Sequence, residues 1–216
     1  MKKIAVMIYP NFSMQEITFL TDGLKVYFDI DVDVFAASKD IIRTEDGFQI
    51  IAGKTFEEFN PEEYACLILP GIYDPFPALF DGRNIRFLES LKDREMLICA
   101  ISSAPMLLAK AGLLERVRFT SGIFDEICRA LDFIPYGNIL RKPLVRDGNI
   151  LTAMGFAFRE FAEETIRALG IDECENGIFT GVTREYTPEE LTFSIGEEGF
   201  REIMEEYQTY LEKWIS

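Results

Sequence analysis

Two adjacent serines between an apolar strand and an apolar helix form the pattern in this chain that is best suited to chemistry. The apolar run 96–101 is followed by Ser102 and Ser103, and a helical run begins at Ala104. A sharp strand-to-helix turn can hold a nucleophile above the edge of a sheet. The backbone N–H groups at the start of the helix can then stabilise negative charge that develops beside the nucleophile. The segment 96–113 therefore predicts a nucleophile elbow with Ser102 at its apex.

The residues that usually activate such a nucleophile are missing from the sequence. A serine hydroxyl needs a neighbouring base, and the chain contains no histidine. The four cysteines show no C-x-x-C spacing: Cys66, Cys99, Cys128 and Cys174. Cys66 and Cys99 lie inside predicted strands and are interpreted as small core residues. A transition-metal site would have to be built from carboxylates alone, so we expect neither a metal nor a cofactor.

The composition is typical of one soluble globular domain over residues 1–216. A chain of 216 residues with 48% hydrophobic residues can bury one substantial core. The net charge of −15 disfavours binding to the phosphate backbone of nucleic acids. No apolar run approaches the roughly 18 residues of a membrane span, and the N-terminal apolar run is too short for a signal peptide. We therefore expect a cytoplasmic protein that binds neither nucleic acid nor membrane.

Apolar runs alternate with helical periodicity along most of the chain, which predicts an α/β fold with a mostly parallel, doubly wound sheet. The predicted strands are 4–9, 30–36, 64–71 and 96–101, and the predicted helices are 13–28, 84–91, 104–113 and 156–169. Glu45-Asp46-Gly47 and Asp147-Gly148 are typical of hairpin turns. Ligands of such sheets bind beyond the carboxyl ends of the strands, where Ser102 is expected.

The region from about 177 to 216 is interpreted as a C-terminal helical extension of the domain. Thr187-Pro188 predicts a helix start, after a short extended piece that follows Asn176-Gly177. A last helix from about Gly199 carries an apolar stripe: Phe200, Ile203, Met204, Tyr207, Leu211 and Trp214. This stripe either packs on the parent domain or forms a subunit interface, and we expect a homodimer.

Glu16 has two interpretations. Ser13 stands three residues before it, which is the spacing of a capping box at the start of the first helix. The same helix start faces the sheet edge at which Ser102 is expected, so the carboxyl could also take part in a site.

Several segments in order resemble the ThiJ/PfpI superfamily, whose members share a flavodoxin-like, class I glutamine-amidotransferase-like three-layer sandwich. Leu69-Pro70-Gly71 is similar to the family's Leu-Pro-Gly-Gly strand end, and 98–105 is similar to its Ala-Ile-Cys-x-Gly-Pro elbow. Residues 3–9 followed by Glu16, and 147–155 followed by Phe161-Ala162, complete the ordered set. The resemblance covers roughly residues 3–170.

The resemblance implies a role for each matching position. Ser102 stands where family enzymes hold a reactive cysteine, and Glu16 stands where a protonated acid hydrogen-bonds to that thiol. The backbone N–H groups of the family's oxyanion hole correspond to three positions here: Gly71, Ile72 and Ser103. Two further positions are expected on the pocket rim, the second near a histidine of many members: Tyr73 and Ser121.

The resemblance implies an intracellular protease or amidase, but both the thiol and the imidazole are absent. We therefore expect a pseudoenzyme that has lost cysteine-dependent catalysis and binds a small ligand or a partner at the former active-site edge. A divergent serine hydrolase or lyase that uses Ser102 with Glu16 and a backbone oxyanion hole is the alternative. A third possibility is a structural subunit with a vestigial pocket.

Overall fold

In a computed structural model, which describes residues 2–171 and 185–215, a seven-stranded sheet lies between two groups of helices. The strands are β1 (Lys3–Met7), β2 (Val32–Ala36), β3 (Ile42–Arg43), β4 (Gln49–Ile50), β5 (Lys54–Thr55), β6 (Tyr64–Leu69), β7 (Leu97–Ile101), β8 (Leu144–Asp147) and β9 (Ile150–Ala153). Seven of them form the main sheet in the order β5-β2-β1-β6-β7-β9-β8, in which all neighbours are parallel except β8 and β9, and β3 and β4 form a separate two-stranded sheet. The α/β fold with a mostly parallel sheet is confirmed.

The helices pack as two groups, which cover the sheet. They are α1 (Gln15–Val26), α2 (Phe76–Leu79), α3 (Gly82–Glu89), α4 (Pro105–Lys110), α5 (Asp125–Ala130), α6 (Phe158–Ala168) and α7 (Gly196–Ile215). Helix α1 packs on α6, whereas α2, α3 and α4 pack together. Every residue of β7 is buried, as expected for a central strand that helices cover on both faces.

The strand order creates one crevice at the carboxyl edge of the sheet. The chain passes from β1 to β2 on one side and later places β6 on the other side of β1. Ligands of doubly wound sheets bind at such a reversal of strand order. The carboxyl ends of β1, β6, β7 and β9 meet near this point, and the segments that follow them carry the predicted site residues.

Both hairpin predictions are confirmed, since β3 pairs with β4 and β8 pairs with β9 in antiparallel register. The predicted capping box at the start of α1 is wrong. Met14 is the N-cap residue and makes no side-chain capping bond, while the Ser13 N–H donates to the Gly71 carbonyl at 2.8 Å. The first helix turn is thus tied to the end of β6, which leaves the Glu16 side chain free for another partner.

The C-terminal helix packs on the parent domain. Phe76 and Phe80 contact Tyr207 and Tyr210 through ring centroids 5.3 to 6.2 Å apart, and Phe80 also contacts Trp214. The interpretation that the apolar stripe packs on the parent domain is therefore confirmed for these residues, although Trp214 is 55% exposed. The helix α7 begins at Gly196, three residues before the predicted start.

The prediction of a helix from Thr187 is wrong. The Thr187 hydroxyl accepts from the Glu190 N–H at 3.3 Å, and the Glu190 carboxylate accepts from the Thr187 N–H at 3.0 Å. These capping bonds close a single turn that does not continue as a helix. Cys174 and the predicted piece after Asn176-Gly177 lie outside the described residues.

Two features are absent from the described ranges, 2–171 and 185–215. No helix there has the length and apolar character needed to cross a membrane. No group of three or more histidine, cysteine, aspartate or glutamate side chains is placed to hold a metal ion in those ranges.

Candidate functional site

Ser102 forms the apex of the elbow, which we define as residues 101–105 between β7 and α4. Its backbone has φ = +61°, in the left-handed region that non-glycine residues rarely adopt. The Ser102 N–H donates to the Ala153 carbonyl at 2.8 Å, and the Ser102 carbonyl accepts from the Gly122 N–H at 2.7 Å. These two bonds hold the strained residue in place, which is characteristic of a functional position.

Glu16 reaches this apex from the first turn of α1. Its Oε2 accepts from the Gly71 N–H at 2.8 Å, and the carboxyl also hydrogen-bonds with the Ser102 side chain. Burial raises the pKa of Glu16 from 4.5 to about 7, against the lowering effect of these two hydrogen bonds. The carboxyl is consequently about half protonated at neutral pH. The structure therefore brings Ser102 and Glu16 together, as the resemblance implied.

Two glycines make this contact possible. A Cβ added at Gly71 would overlap Glu16 Oε2 and lie 2.6 Å from Ser102 Cβ. A Cβ added at Gly155 would overlap Glu16 Oε1 and lie 3.1 Å from Ser102 Oγ. Both carboxyl oxygens are thus enclosed by backbone, and any side chain at either position would displace the carboxyl.

The predicted oxyanion hole is not open. Gly71 N–H donates to Glu16, and the Ile72 N–H donates to Ser103 Oγ at 2.9 Å. The Ser103 hydroxyl in turn donates to the Ile72 carbonyl at 2.6 Å. Of the expected donors, the Ser103 N–H alone has no acceptor among the described residues. An oxyanion at Ser102 would therefore meet two N–H groups that are already bonded to side chains.

Tyr9 fixes the turn that follows β6. This residue is fully buried at the end of β1, and its hydroxyl donates to the Pro70 carbonyl. Burial and the nearby Glu16 carboxylate both raise the pKa of Tyr9 well above 10.0, so the phenol keeps its proton. The bond to Pro70 holds the backbone just before Gly71 and so helps to place the N–H that Glu16 binds.

A cavity of about 610 Å³ opens above the elbow, which is within the usual size range of small-molecule sites. Its lining consists of Glu16, Glu45, Ile72, Tyr73, Asp74, Pro75, Phe76, Ser102, Ser103, Met106, Gly122, Ile123, Phe124, Ile127, Ile195, Gly199, Glu202, Ile203 and Glu206. Tyr73 lies on the rim and is 85% exposed. Ser121 is only 1% exposed and is not part of the lining, so its placement on the rim is wrong.

The cysteines of the described residues offer no replacement nucleophile. Cys66, Cys99 and Cys128 are free and buried. Burial raises the pKa of the Cys66 thiol well above 9.0 and that of Cys128 to about 12. Thiols of this kind carry almost no thiolate at neutral pH and behave as core residues.

Sequence reasoning missed part of the cavity. Gly122 and Gly155 pack on Ser102, and Glu202 and Glu206 reach the cavity from α7. The two glutamates are four residues apart and so lie on one helix face, a signal that was visible in the sequence. No pattern in the sequence showed that this face would meet the elbow, because that depends on how α7 packs.

Comparisons with known proteins agree with this architecture. A model described as the DJ-1/PfpI family matches residues 2–168. Deglycase PfpI from Pyrococcus furiosus is 26% identical over 57% of this chain and 69% of its own length. Isonitrile hydratase from Pseudomonas putida is 24% identical over 86% of this chain and 79% of its own. The crystal structure of a thiJ/pfpI family protein from Bacillus anthracis has a TM-score of 0.72 at 22% identity, covering 94% of this chain and 96% of its own.

Proposed function

Since the chain belongs to the DJ-1/PfpI family, we propose that it is a member without cysteine-dependent catalysis whose cavity beside Ser102 binds a small molecule. The elbow, the carboxyl of Glu16 and the cavity are arranged as in an active site. What differs is the chemistry available at the apex, where a hydroxyl replaces the thiol that the resemblance implies.

One observation carries this proposal: the N–H groups of Gly71 and Ile72 are bonded to Glu16 and Ser103. Removal of one oxyanion-hole donor typically lowers kcat about 10²–10³-fold. A tetrahedral intermediate on Ser102 would have to break both bonds before those N–H groups could stabilise it. The backbone N–H groups that catalysis would need as free donors therefore already have side-chain partners.

Glu16 is the candidate general base at the apex. General-base assistance is worth about 10²–10⁴-fold, and it requires an ionised carboxylate. With a pKa of about 7, this carboxyl is about half ionised at neutral pH, so its protonation alone does not remove the base. A helix start alone does not activate a serine hydroxyl, so the occupied N–H groups of Gly71 and Ile72 are what limits catalysis at Ser102.

Turnover measurements test the loss of catalysis. Wild type and Ser102→Ala are assayed with a glycated amino acid and with an isonitrile, because a deglycase and an isonitrile hydratase are among the relatives. We expect the two proteins to give the same rates. Turnover that depends on Ser102 would overturn the proposal.

Ligand binding is tested by two-dimensional NMR with a fragment library. We expect hits whose chemical-shift changes cluster at the elbow and the cavity wall, for example at Ser103, Gly122 and Ile123, all of which line the cavity. A library whose hits all map elsewhere on the protein would contradict the binding role.

The second candidate is a serine hydrolase or lyase, and the Glu16–Ser102 contact favours it. A pKa of about 7 is well matched to an acid or base that works near neutral pH. If Glu16 were the base, the hydrolysis of an activated ester would rise through pH 7 and disappear in Glu16→Gln. An ester rate that is the same in Ser102→Ala and in wild type would eliminate this candidate.

A further inference from the structure

The outer part of the cavity is acidic, and none of the described residues that line it is a lysine or arginine. Four carboxyl groups surround its mouth, which we call the acidic mouth: Glu45, Asp74, Glu202 and Glu206. With Glu16 inside, the described lining contains no lysine or arginine. Two of the four come from α7, which lies beyond the residues that the family model matches.

The carboxyl groups of the acidic mouth make hydrogen bonds but no ion pairs within the described residues: Glu45 bonds with Ser13 and the Tyr73 N–H, and Asp74 accepts from the Phe76 N–H. None of the ion pairs formed within the described part of the chain includes a residue of the acidic mouth. Asp74 raises the pKa of Glu206 across the cavity, in addition to the effect of burial. Glu45 likewise raises the pKa of Glu16. Neighbouring negative charges repel each other, and a cation bound near them would relieve the repulsion.

The deeper walls of the same cavity are apolar. Met106, Ile123 and Ile127 lie at its floor side, and Phe76 and Phe124 add aromatic surface. Apolar walls favour a ligand with a hydrocarbon or aromatic body, whose transfer from water is favourable in proportion to the area buried. The aromatic faces also attract a positively charged group that lies over them.

We propose that the cavity binds an organic cation, an ammonium group carried on an apolar body, with the body above the elbow and the charge at the acidic mouth. This inference rests on the proposed binding function and adds the chemical class of the ligand. It makes α7 the element that determines specificity, because Glu202 and Glu206 are its contribution to the mouth. An anionic ligand of the same size is excluded by the same carboxylates.

Three ligands with one common body test the proposal: phenylpropylammonium, phenylpropanol and phenylpropanoate. Their affinities are measured by calorimetry at neutral pH and low salt, because screening weakens exposed charges. We expect the ammonium to bind about tenfold more tightly than the alcohol, and the carboxylate not to bind measurably. The double variant Glu202→Gln/Glu206→Gln should lose about fivefold in affinity for the ammonium and keep its affinity for the alcohol.

Glu205→Gln is the matched control. Glu205 is an exposed glutamate on the same helix, but it does not line the cavity. It should bind the ammonium as the wild type does, so an equal loss in this control would show that the net charge of −15 attracts the cation and would overturn the inference.

The other outcomes separate this inference from the proposed function. An alcohol that binds as tightly as the ammonium would overturn the charge assignment while leaving a ligand-binding cavity. Failure of all three ligands would also overturn the inference, and the fragment experiment would then decide the binding function independently.

Discussion

The two ends of the cavity differ in how their polar groups are satisfied. At the elbow, Glu16 bonds with Ser102 and the Gly71 N–H, and Ser103 Oγ accepts from the Ile72 N–H. At the acidic mouth, Asp74 and Glu206 face each other without a cation among the described residues. Tightly paired groups rigidify a structure, whereas unpaired charges favour an external partner. The polar groups that have no partner within the protein therefore lie at the acidic mouth, beside α7, rather than at the elbow.

The largest effect on stability is expected at Gly71, where the elbow is most tightly packed. Gly71→Ala would place a Cβ against Glu16 Oε2 and 2.6 Å from Ser102 Cβ, and both neighbours are held by backbone bonds. We expect the free energy of unfolding to fall by about 3 kcal/mol in chemical denaturation. Gly137→Ala is the control, since a Cβ at Gly137 meets no atom within 4 Å. Equal stabilities of the two variants would show that the elbow can relax.

The pH dependence of stability tests the environment of Glu16. Its pKa is about 7 in the folded protein and 4.5 ordinarily, so the folded state holds the proton more tightly. The resulting stability is complete below pH 4.5, is lost as the pH rises, and is gone above about pH 7. The shift corresponds to about 3 kcal/mol at most.

Glu16→Gln isolates this contribution. The difference in unfolding free energy between wild type and this variant should change by about 3 kcal/mol between acid and neutral pH. The exposed-site control Glu205→Gln should leave the pH profile of the wild type unchanged. A profile that is identical in wild type and Glu16→Gln would mean that the carboxyl is not buried against Ser102.

A smaller effect on stability is expected when the Ser103 hydroxyl, which occupies the Ile72 N–H, is removed. Ser103→Ala removes bonds of 2.9 and 2.6 Å to the Ile72 N–H and carbonyl. We expect a loss of about 2 kcal/mol, because two partly buried backbone groups lose their partner. Thr209→Ala, which removes one exposed helical hydroxyl bond to the Glu205 carbonyl, should cost far less. A Ser103→Ala protein as stable as this control would indicate that water replaces the hydroxyl.

Much of the fold could be predicted because local patterns determine it. The continuous apolar runs of β6 and β7 predicted buried parallel strands, and Asp147-Gly148 predicted the hairpin, with Gly148 at φ = +59°. The elbow and Glu16 could be placed together because the carboxyl ends of neighbouring strands meet at one edge. The resemblance then supplied the order of the segments.

Long-range packing explains what could not be predicted. The hydrogen bond of Glu16 to Gly71 spans 55 residues, so spacing alone suggested a capping box instead. Whether Ser121 reaches the cavity depends on the path of the loop before Gly122, and the structure buries it. The acidic face of α7 becomes a cavity wall only because Tyr207 and Tyr210 pack on Phe76 and Phe80.

Covalent labelling of Ser102 is the most direct test of whether the elbow is chemically silent. The protein is incubated with a fluorophosphonate, and the peptide that contains Ser102 is analysed by mass spectrometry, with Ser102→Ala as the blank. We predict no adduct at Ser102 above this blank, because the Gly71 and Ile72 N–H groups that would stabilise the reaction are already bonded to side chains. A stoichiometric adduct on Ser102 that disappears in Glu16→Gln would contradict this account.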